Sequence, residues 1–397
     1  MTSPSHEPPQ DPLAFEFSLC RGGPLYRLSQ ALGFRPDSTG LVRFGLAVAL
    51  FAWVPLAVLT TIEGALHPGG MISFWQSIGT HVRLLLSIPL FFLAESIVDT
   101  RAGDVLRRLL RMGLVLPADR PVLVRAARRA ISQRDSWIME AALLVLVILF
   151  IGAGMRTDLP PDVSTWRTNA DGQLSLPGWW YTVVSLPMFQ FLFWRWCWRL
   201  IIWARLLWRV ARMNLQLVAT HPDGAGGLAV LGVVHVDLGP FALAANAVLA
   251  SSYAEQILFA GVAPSALVVS IVASVIGTTL ALIGPLAFFL HTLIDVRQRA
   301  LLDYGALAVT YTRAFAAKWM PTGPPPDEHL LGTPDIQSLA DLGSSFELIR
   351  NMTVLPIAKF QIALLAAAAA LPYAPLVALA FPLDQLIIDG IRAVLNI

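Results

Sequence analysis

Five arginines punctuate the otherwise apolar stretch Phe193–Arg212: Arg195, Arg199, Arg205, Arg209 and Arg212. Permanent cations in so apolar a segment could sense voltage, hold an anion or lipid headgroup, or mark where a bilayer ends. At 100° per residue they fall within about 140° of arc, one face of an amphipathic helix. A voltage sensor repeats arginine at nearly every third position through the hydrocarbon. Here the steps are four, six, four and three residues, and the preceding WWYTVVSLPMFQFLF is uncharged. The spacing predicts anchoring. Arg195 and Arg199 snorkel at the inner boundary, and Trp194, Trp196, Trp198 and Trp203 form an aromatic belt. The remaining arginines lie along the headgroups, where the same face suits anionic lipids.

Two carboxylates are expected at the same depth. Glu95 lies near the end of one apolar run, shortly before Asp99, and Glu140 lies one turn into the next. Ionisable groups inside membranes usually pair, which predicts an inner-leaflet cluster of Glu95 and Glu140 with Arg195 or Arg199. It would serve as a structural tie or as an ion or proton gate.

The segment Pro240–Gly261 has small residues on one side, Ala247, Ala250, Ala254 and Gly261, that admit a close neighbour. The rest of its circumference carries Asn246, Ser252, Tyr253, Glu255 and Gln256. Glu255 falls about fifteen residues from the inner end, well inside the hydrocarbon. Such polarity needs a polar helix or water beside it. The next apolar segment offers Ser270, Ser274, Gly277, Thr278 and Gly284 on one face with His291. Interhelical hydrogen bonding and a hydrated path are the two readings.

Upstream, THPDGAGGLAVLGVVHVDLGP holds His221, Asp223, His235 and Asp237. His221-Pro222-Asp223-Gly224 suits a type I turn. As a phosphate loop it fails, because Ala229 stands where GxGxxG needs glycine and no Walker lysine follows. The short run Leu228–Val234 predicts a re-entrant or interfacial helix. A structural turn and a ligand-contacting loop both remain open for this stretch. No HExxH, GxSxG or paired-histidine spacing occurs, and the two cysteines, Cys20 and Cys197, give neither a disulfide framework nor a thiolate metal site. No cofactor and no metal site are expected.

The elements that carry these residues follow from composition. Of 397 residues, 56% are hydrophobic and 14% charged, against roughly 25% charged in soluble domains. The net charge of +2 gives no field that recruits nucleic acid. Several apolar runs reach the roughly 20 residues that cross a bilayer as helix, and none alternates as a β-barrel strand would. The fold class is therefore all-α, a polytopic membrane bundle of about seven spans plus amphipathic cytoplasmic helices. The expected spans are Leu41–Thr61, Gly79–Val98, Trp137–Met155, Gly178–Leu200, Pro240–Gly261, Ser265–Leu290 and Phe360–Ala380. The last is interrupted by LPYAP and could be a re-entrant hairpin.

Four divisions result: a Pro-rich cytoplasmic tail (1–40), spans one to six (41–290) with a basic cytoplasmic loop (100–135), a cytoplasmic amphipathic segment (291–359), and the last span with a C-terminal helix (360–397). In the amphipathic segment, Tyr304, Ala308, Tyr311, Phe315 and Trp319 form a stripe that stops at PTGPPPDE. A second helix starts at Thr333-Pro334-Asp335 and carries Ile336, Leu339, Phe346 and Ile349. Both are expected to lie against the membrane domain. No internal repeat is evident.

Arginine-rich and arginine-poor loops alternate. Nine arginines lie between Thr100 and Asp135, whereas Arg156 and Arg167 share the next loop with Asp158, Asp162 and Asp171. The positive-inside rule then puts the N-terminus in the cytoplasm and the C-terminus outside, in a bacterial inner membrane. The tail has no cleavable signal pattern, and His67 and His81 fall in an outer loop. Homo-oligomerisation is open. Three functions fit: passage of a small solute or ion between spans five and six, past Asn246, Tyr253, Glu255, Gln256, Ser270, Ser274 and Thr278; an enzyme acting on a lipid-linked substrate through His221, Asp223, His235 or Asp237; or a scaffold without catalysis. A reporter fused to the C-terminus is expected to read an external location, and a cytoplasmic reading overturns the seven-span topology.

Overall fold

The computed structural model describes residues 17–35, 37–66, 73–153, 166–168, 173–320 and 333–380. The proline-rich start of the tail, His67, Arg156, Asp158, Asp162, Asp171, PTGPPPDE and the C-terminal helix lie outside the described residues. Among those described, the chain is helical: α1 (Gly23–Ala31), α2 (Ser38–Gly64), α3 (Ile78–Arg111), α4 (Arg120–Arg134), α5 (Trp137–Gly152), α6 (176–211), α7 (Val230–Ala260), α8 (Pro264–Trp319), α9 (Pro334–Arg350) and α10 (Lys359–Val377). Five of these, α2, α3, α7, α8 and α10, are long and apolar enough to cross a membrane. A sixth follows if α4 and α5, bent by 46°, count as one span. The expected fourth span, inside α6, is not among them; its tryptophans, prolines, Gln190 and arginines dilute its apolar character.

Local signals account for the helix ends. Ser175 accepts a hydrogen bond from Gly178 N–H at the start of α6, and Thr333 accepts one from Asp335 N–H at the start of α9. Gly261 ends α7 at φ 65°, a left-handed conformation that glycine adopts without strain. The run Leu228–Val234, expected as a re-entrant or interfacial helix, forms the short helix Val230–Val236, which leads through a turn at Asp237 and Leu238 into the rest of α7.

The amphipathic segment differs from expectation. No helix breaker follows Leu290, and a 3-10 stretch at Gly284–Phe289 absorbs Pro285, so span six and the cytoplasmic helix form the 56-residue α8. Helix α9 packs on its distal half, where Tyr311 Oη donates to Asp335 O and Lys318 and Trp319 donate to Asp335 Oδ2. Leu302 and Met320 there are 74% and 72% exposed, so this pair is not laid down on the bundle. Helix α10 passes its LPYAP break as a single 3-10 turn and continues as helix, without a hairpin.

A short pattern recurs along the chain, which we read as an internal repeat. Ser87-Ile88-Pro89-Leu90-Phe91 recurs 98 residues later as Ser185-Leu186-Pro187-Met188-Phe189. Arg101, Arg107, Leu109 and Arg111 match Arg199, Arg205, Leu207 and Arg209 at the same spacing. Both helices have a π-helical stretch just before the proline, Val82–Ser87 in α3 and Tyr181–Ser185 in α6. A proline removes one helical N–H and crowds the carbonyl four residues back, and a π-turn accommodates both. The matched serines each donate to a neighbouring helix, Ser87 to Ala244 O and Ser185 to Ala52 O.

Matched residues also meet. Arg83 Nη1 donates to Tyr181 Oη at 2.8 Å. The rings of Phe91 and Phe189 lie 5.9 Å apart and near parallel. Beyond the helix ends, Val115 and Leu215, which stand 100 rather than 98 residues apart, form an antiparallel bridge. The order of the contacts, Arg83 to Tyr181, Phe91 to Phe189 and Glu95 to Arg199, makes α3 and α6 parallel neighbours. Helix α5 packs on α6, and α7 packs on α3, so each unit's last helix covers the other unit's first.

Candidate functional site

The residues expected at the inner leaflet come together. Pairing α3 with α6 in parallel register brings Glu95 to the arginines one turn apart on α6. Arg199 Nη2 donates to Glu95 Oε1 at 2.5 Å, and Arg195 Nη1 lies 3.6 Å from the same oxygen. Glu140, on α5, is 3.8 Å from Arg195 Nε. Glu95, Arg195 and Arg199 are buried. A charge this far from water must be paired, and deleting one partner strands the other. A separate ion pair joins Arg101 of α3 to Asp237 of α7, 3.4 Å apart.

A third partner was not anticipated. Residues Phe17–Gly23, assigned to the tail, bend at Leu19–Arg21 and run into this cluster. Ser18 O accepts from Arg134 Nη1 at 2.5 Å, Cys20 O from Arg199 Nη2 at 2.8 Å and Gly22 O from Arg195 Nη2 at 3.3 Å. Asp99 takes the donors: Cys20 N–H at 2.8 Å, Ser18 Oγ at 2.7 Å, and Arg21 Nε at 3.1 Å. The apolar Phe17, Leu19 and Cys20 ahead of Gly22-Gly23 were the available signal, in a region whose composition otherwise reads as solvated.

The polar positions of α7 divide. Asn246 is fully buried and satisfied on both sides of its amide. Its Nδ2 donates to Ala242 O and to Thr278 Oγ1 on α8, and its Oδ1 accepts from Tyr373 Oη on α10 at 3.0 Å. Tyr373 Oη is also 2.7 Å from Ser274 Oγ, and its ring stacks on Tyr253 at 6.2 Å. Tyr373 stands in the LPYAP break, so the interruption in α10 delivers a hydroxyl between α7 and α8. The expected gap there is filled by this side chain. Ser270 is exposed and takes no part, because it lies on the face of α8 turned away from α7.

Glu255 faces α3, not α8. Its Oε1 accepts from Gly79 N–H at 2.8 Å, capping the first turn of α3. A side chain at position 79 would come within 3.2 Å of both carboxylate oxygens, so glycine permits the approach. Gln256, next along, is half-buried. Nearby, the Arg167 guanidinium sits 4.5 Å from the centre of the Tyr181 ring. Trp53 Nε1 donates to His81 Nδ1 at 2.9 Å inside a cluster with Phe74 and Trp75.

The four inner-loop residues are dispersed. Asp223 Oδ1 accepts from Ala225 and Gly227 N–H, and Oδ2 from Ala229 N–H, all within 3.0 Å. His221 Nδ1 is 2.9 Å from Asp223 Oδ1. Thr353 donates twice to Gly224 O and ties the loop to the connection before α10. His235 is buried, its Nδ1 2.8 Å from Leu231 O. Asp237 belongs to Arg101. His221 and Asp223 thus pair with each other, whereas His235 and Asp237 face other partners.

Among the described residues no group of three or more His, Cys, Asp or Glu could hold a metal. A cavity of about 510 Å³ lies between α1, α2, α3 and α6, lined by apolar side chains such as Phe44, Phe92 and Met188. No family model, curated protein or solved structure matches the chain.

Two stability outcomes follow. Glu95→Leu is expected to destabilise the protein by about 3–5 kcal/mol, read as a lowered thermal transition in detergent. Glu95→Leu with Arg199→Met should cost less than the single change; equal or greater loss would show that the pair is not coupled. For Asp223, partial burial pushes the carboxyl up, but the three backbone hydrogen bonds and His221 outweigh it and the net shift is downward. The group's contribution is therefore complete above the ordinary aspartate pKa of about 3.9 and fades as pH falls toward its lower folded value. Asp223→Asn should be less stable at pH 7, with a shallower loss of stability in acid.

Proposed function

We propose that this chain is an integral membrane protein that passes a small solute or ion, and that the path follows the interface of the two repeats between α3 and α6. The observation that carries this reading is the meeting of equivalent residues between α3 and α6, with a half-buried charge near one end and buried charge near the other. Arg83 and Tyr181 mark one end, and Glu95 with Arg195 and Arg199 the other. Parallel repeats about an axis normal to the membrane are a recurring transporter plan, with sites where the repeats meet. This moves the path from the α7–α8 interface, where Asn246, Ser274, Thr278 and Tyr373 satisfy one another.

Seven crossings are part of the proposal. Helix α6 runs parallel to α3, so α5 must return the chain between them. Helix α10 runs parallel to α7, with Gly232 beside Ile357 and Asn246 beside Tyr373, so α8 must do the same. The loop charges orient this bundle with the Glu95 end toward the cytoplasm of a bacterium and the C-terminus outside. Arg205 over Trp198 and Arg212 over Trp208, at 5.5 and 3.9 Å, leave a basic, aromatic face suited to anionic lipid.

A scaffold without transport is the second reading, favoured by the closed Asn246 layer. Reconstitution in liposomes separates the two. The wild type is expected to conduct, and Glu95→Gln to cut the flux at least tenfold when flux is normalised to the folded protein recovered. Absence of flux for protons, alkali cations, halides and small carboxylates, in wild type and variant alike, overturns transport.

A further inference from the structure

We propose that the groove between α3, α4 and α6 is a binding site for a peptide main chain, and that Phe17–Gly23 occupies it as a releasable internal ligand. Recognition is through the main chain. Alternate carbonyls, at residues 18, 20 and 22, each meet a different arginine, and the intervening Cys20 N–H meets Asp99. The segment turns at Leu19–Arg21, where Ser18 Oγ donates to Arg21 O and accepts from Arg21 N–H, and the turn aims these main-chain groups at the groove. The groove is built from both repeats: Asp99 and Arg134 belong to the first, Arg195 and Arg199 to the second. The segment therefore straps the repeats together at the Glu95 end of their interface.

The groove is a built site. Asp99, Arg195 and Arg199 are 5%, 5% and 2% exposed, and Arg199 Nη1 has no hydrogen-bond partner even with the strap seated. It also selects its occupant. A side chain at position 22 would collide with Asp135 and Arg134, and one at 23 would sit 2.7 Å from Glu140 Oε1. Gly23 further holds φ 83°, which other residues rarely adopt. Gly103 lets the strap pass, since a β-carbon there would come within 2.8 Å of Phe17 O. The chemistry thus fits a turn-forming segment with an apolar start and a Gly-Gly end. This assignment stands whether or not the protein transports.

Cys20 reports the strap's position. It is fully buried when seated, and burial also pushes its thiol far above the ordinary pKa, so alkylation is suppressed twice. The test uses the full chain with Cys197→Ser in detergent and a soluble maleimide. Labelling of Cys20 should be slow in this parent. It should become at least tenfold faster in Gly23→Ala, with the size-exclusion profile and tryptophan fluorescence unchanged. A fluorescent peptide spanning residues 17–25, with serine for its cysteine, should then bind the Gly23→Ala protein and not the parent. The same peptide with alanine at the position of Gly23 should fail to bind. Asp99→Asn serves as the milder release variant if Gly23→Ala does not fold. Fast labelling in the parent overturns the proposal, as does a folded release variant that stays as protected as the parent or binds no peptide.

Discussion

Arg199 is permanently charged and almost entirely out of reach of water, and much of one end of the molecule is arranged to make that tolerable. A guanidinium has five donors in a fixed fork, and each one left without an acceptor in a dry interior is costly. Glu95 supplies the charge and Cys20 the carbonyl. Supplying them constrains three things together: the register of α3 against α6, the route of the chain before α1, and the burial of Arg195 beside it. The register in turn aligns the two π-helical stretches and the facing phenylalanines. A sliding error of one turn between α3 and α6 would strand an arginine, a carboxylate and two serine donors together.

The prolines complement that constraint. Pro89 and Pro187 each force a local widening of the helix, and in both units the serine just before supplies a hydrogen bond to a neighbouring carbonyl. The distortion is thus put to use as an attachment point. Helices that deviate in the same place, side by side, stay matched along their length. Two straight helices or two unmatched kinks would not pack this way.

Much of this was legible in the sequence, for physical reasons. Apolar runs, caps and helix breakers act locally, so the helical class, the start of α9 at Thr333 and the end of α7 at Gly261 could be read from a few residues. Pairing at depth was legible for Glu95, Glu140, Arg195 and Arg199, because charge in an apolar setting has few solutions. What escaped were partners distant in sequence that leave no local mark. Asn246 asked for a hydrogen-bonding neighbour, but nothing in LPYAP says that Tyr373 will be it. Glu255 looked unpartnered because its acceptor capacity meets a backbone N–H at Gly79, and every residue but proline offers one. The strap was hidden by its polar surroundings. The recurring pattern was hidden because its shared residues are few and scattered through otherwise different apolar sequence.

Helix α8 has a mechanical consequence. At 1.5 Å per residue its 56 residues extend roughly 80 Å, well over twice the thickness of a hydrocarbon core. It joins the Asn246 layer, through Ser274 and Thr278, to the distal stretch clamped by α9. Such an element acts as a lever with its fulcrum near the 3-10 turn at Gly284–Phe289. A tilt of about 10° over the roughly 45 Å beyond Leu290 displaces the far end by about 8 Å. A rearrangement too small to disturb side-chain packing around Tyr373 is thereby amplified into a displacement, at Trp319 and Asp335, large enough for another molecule to register.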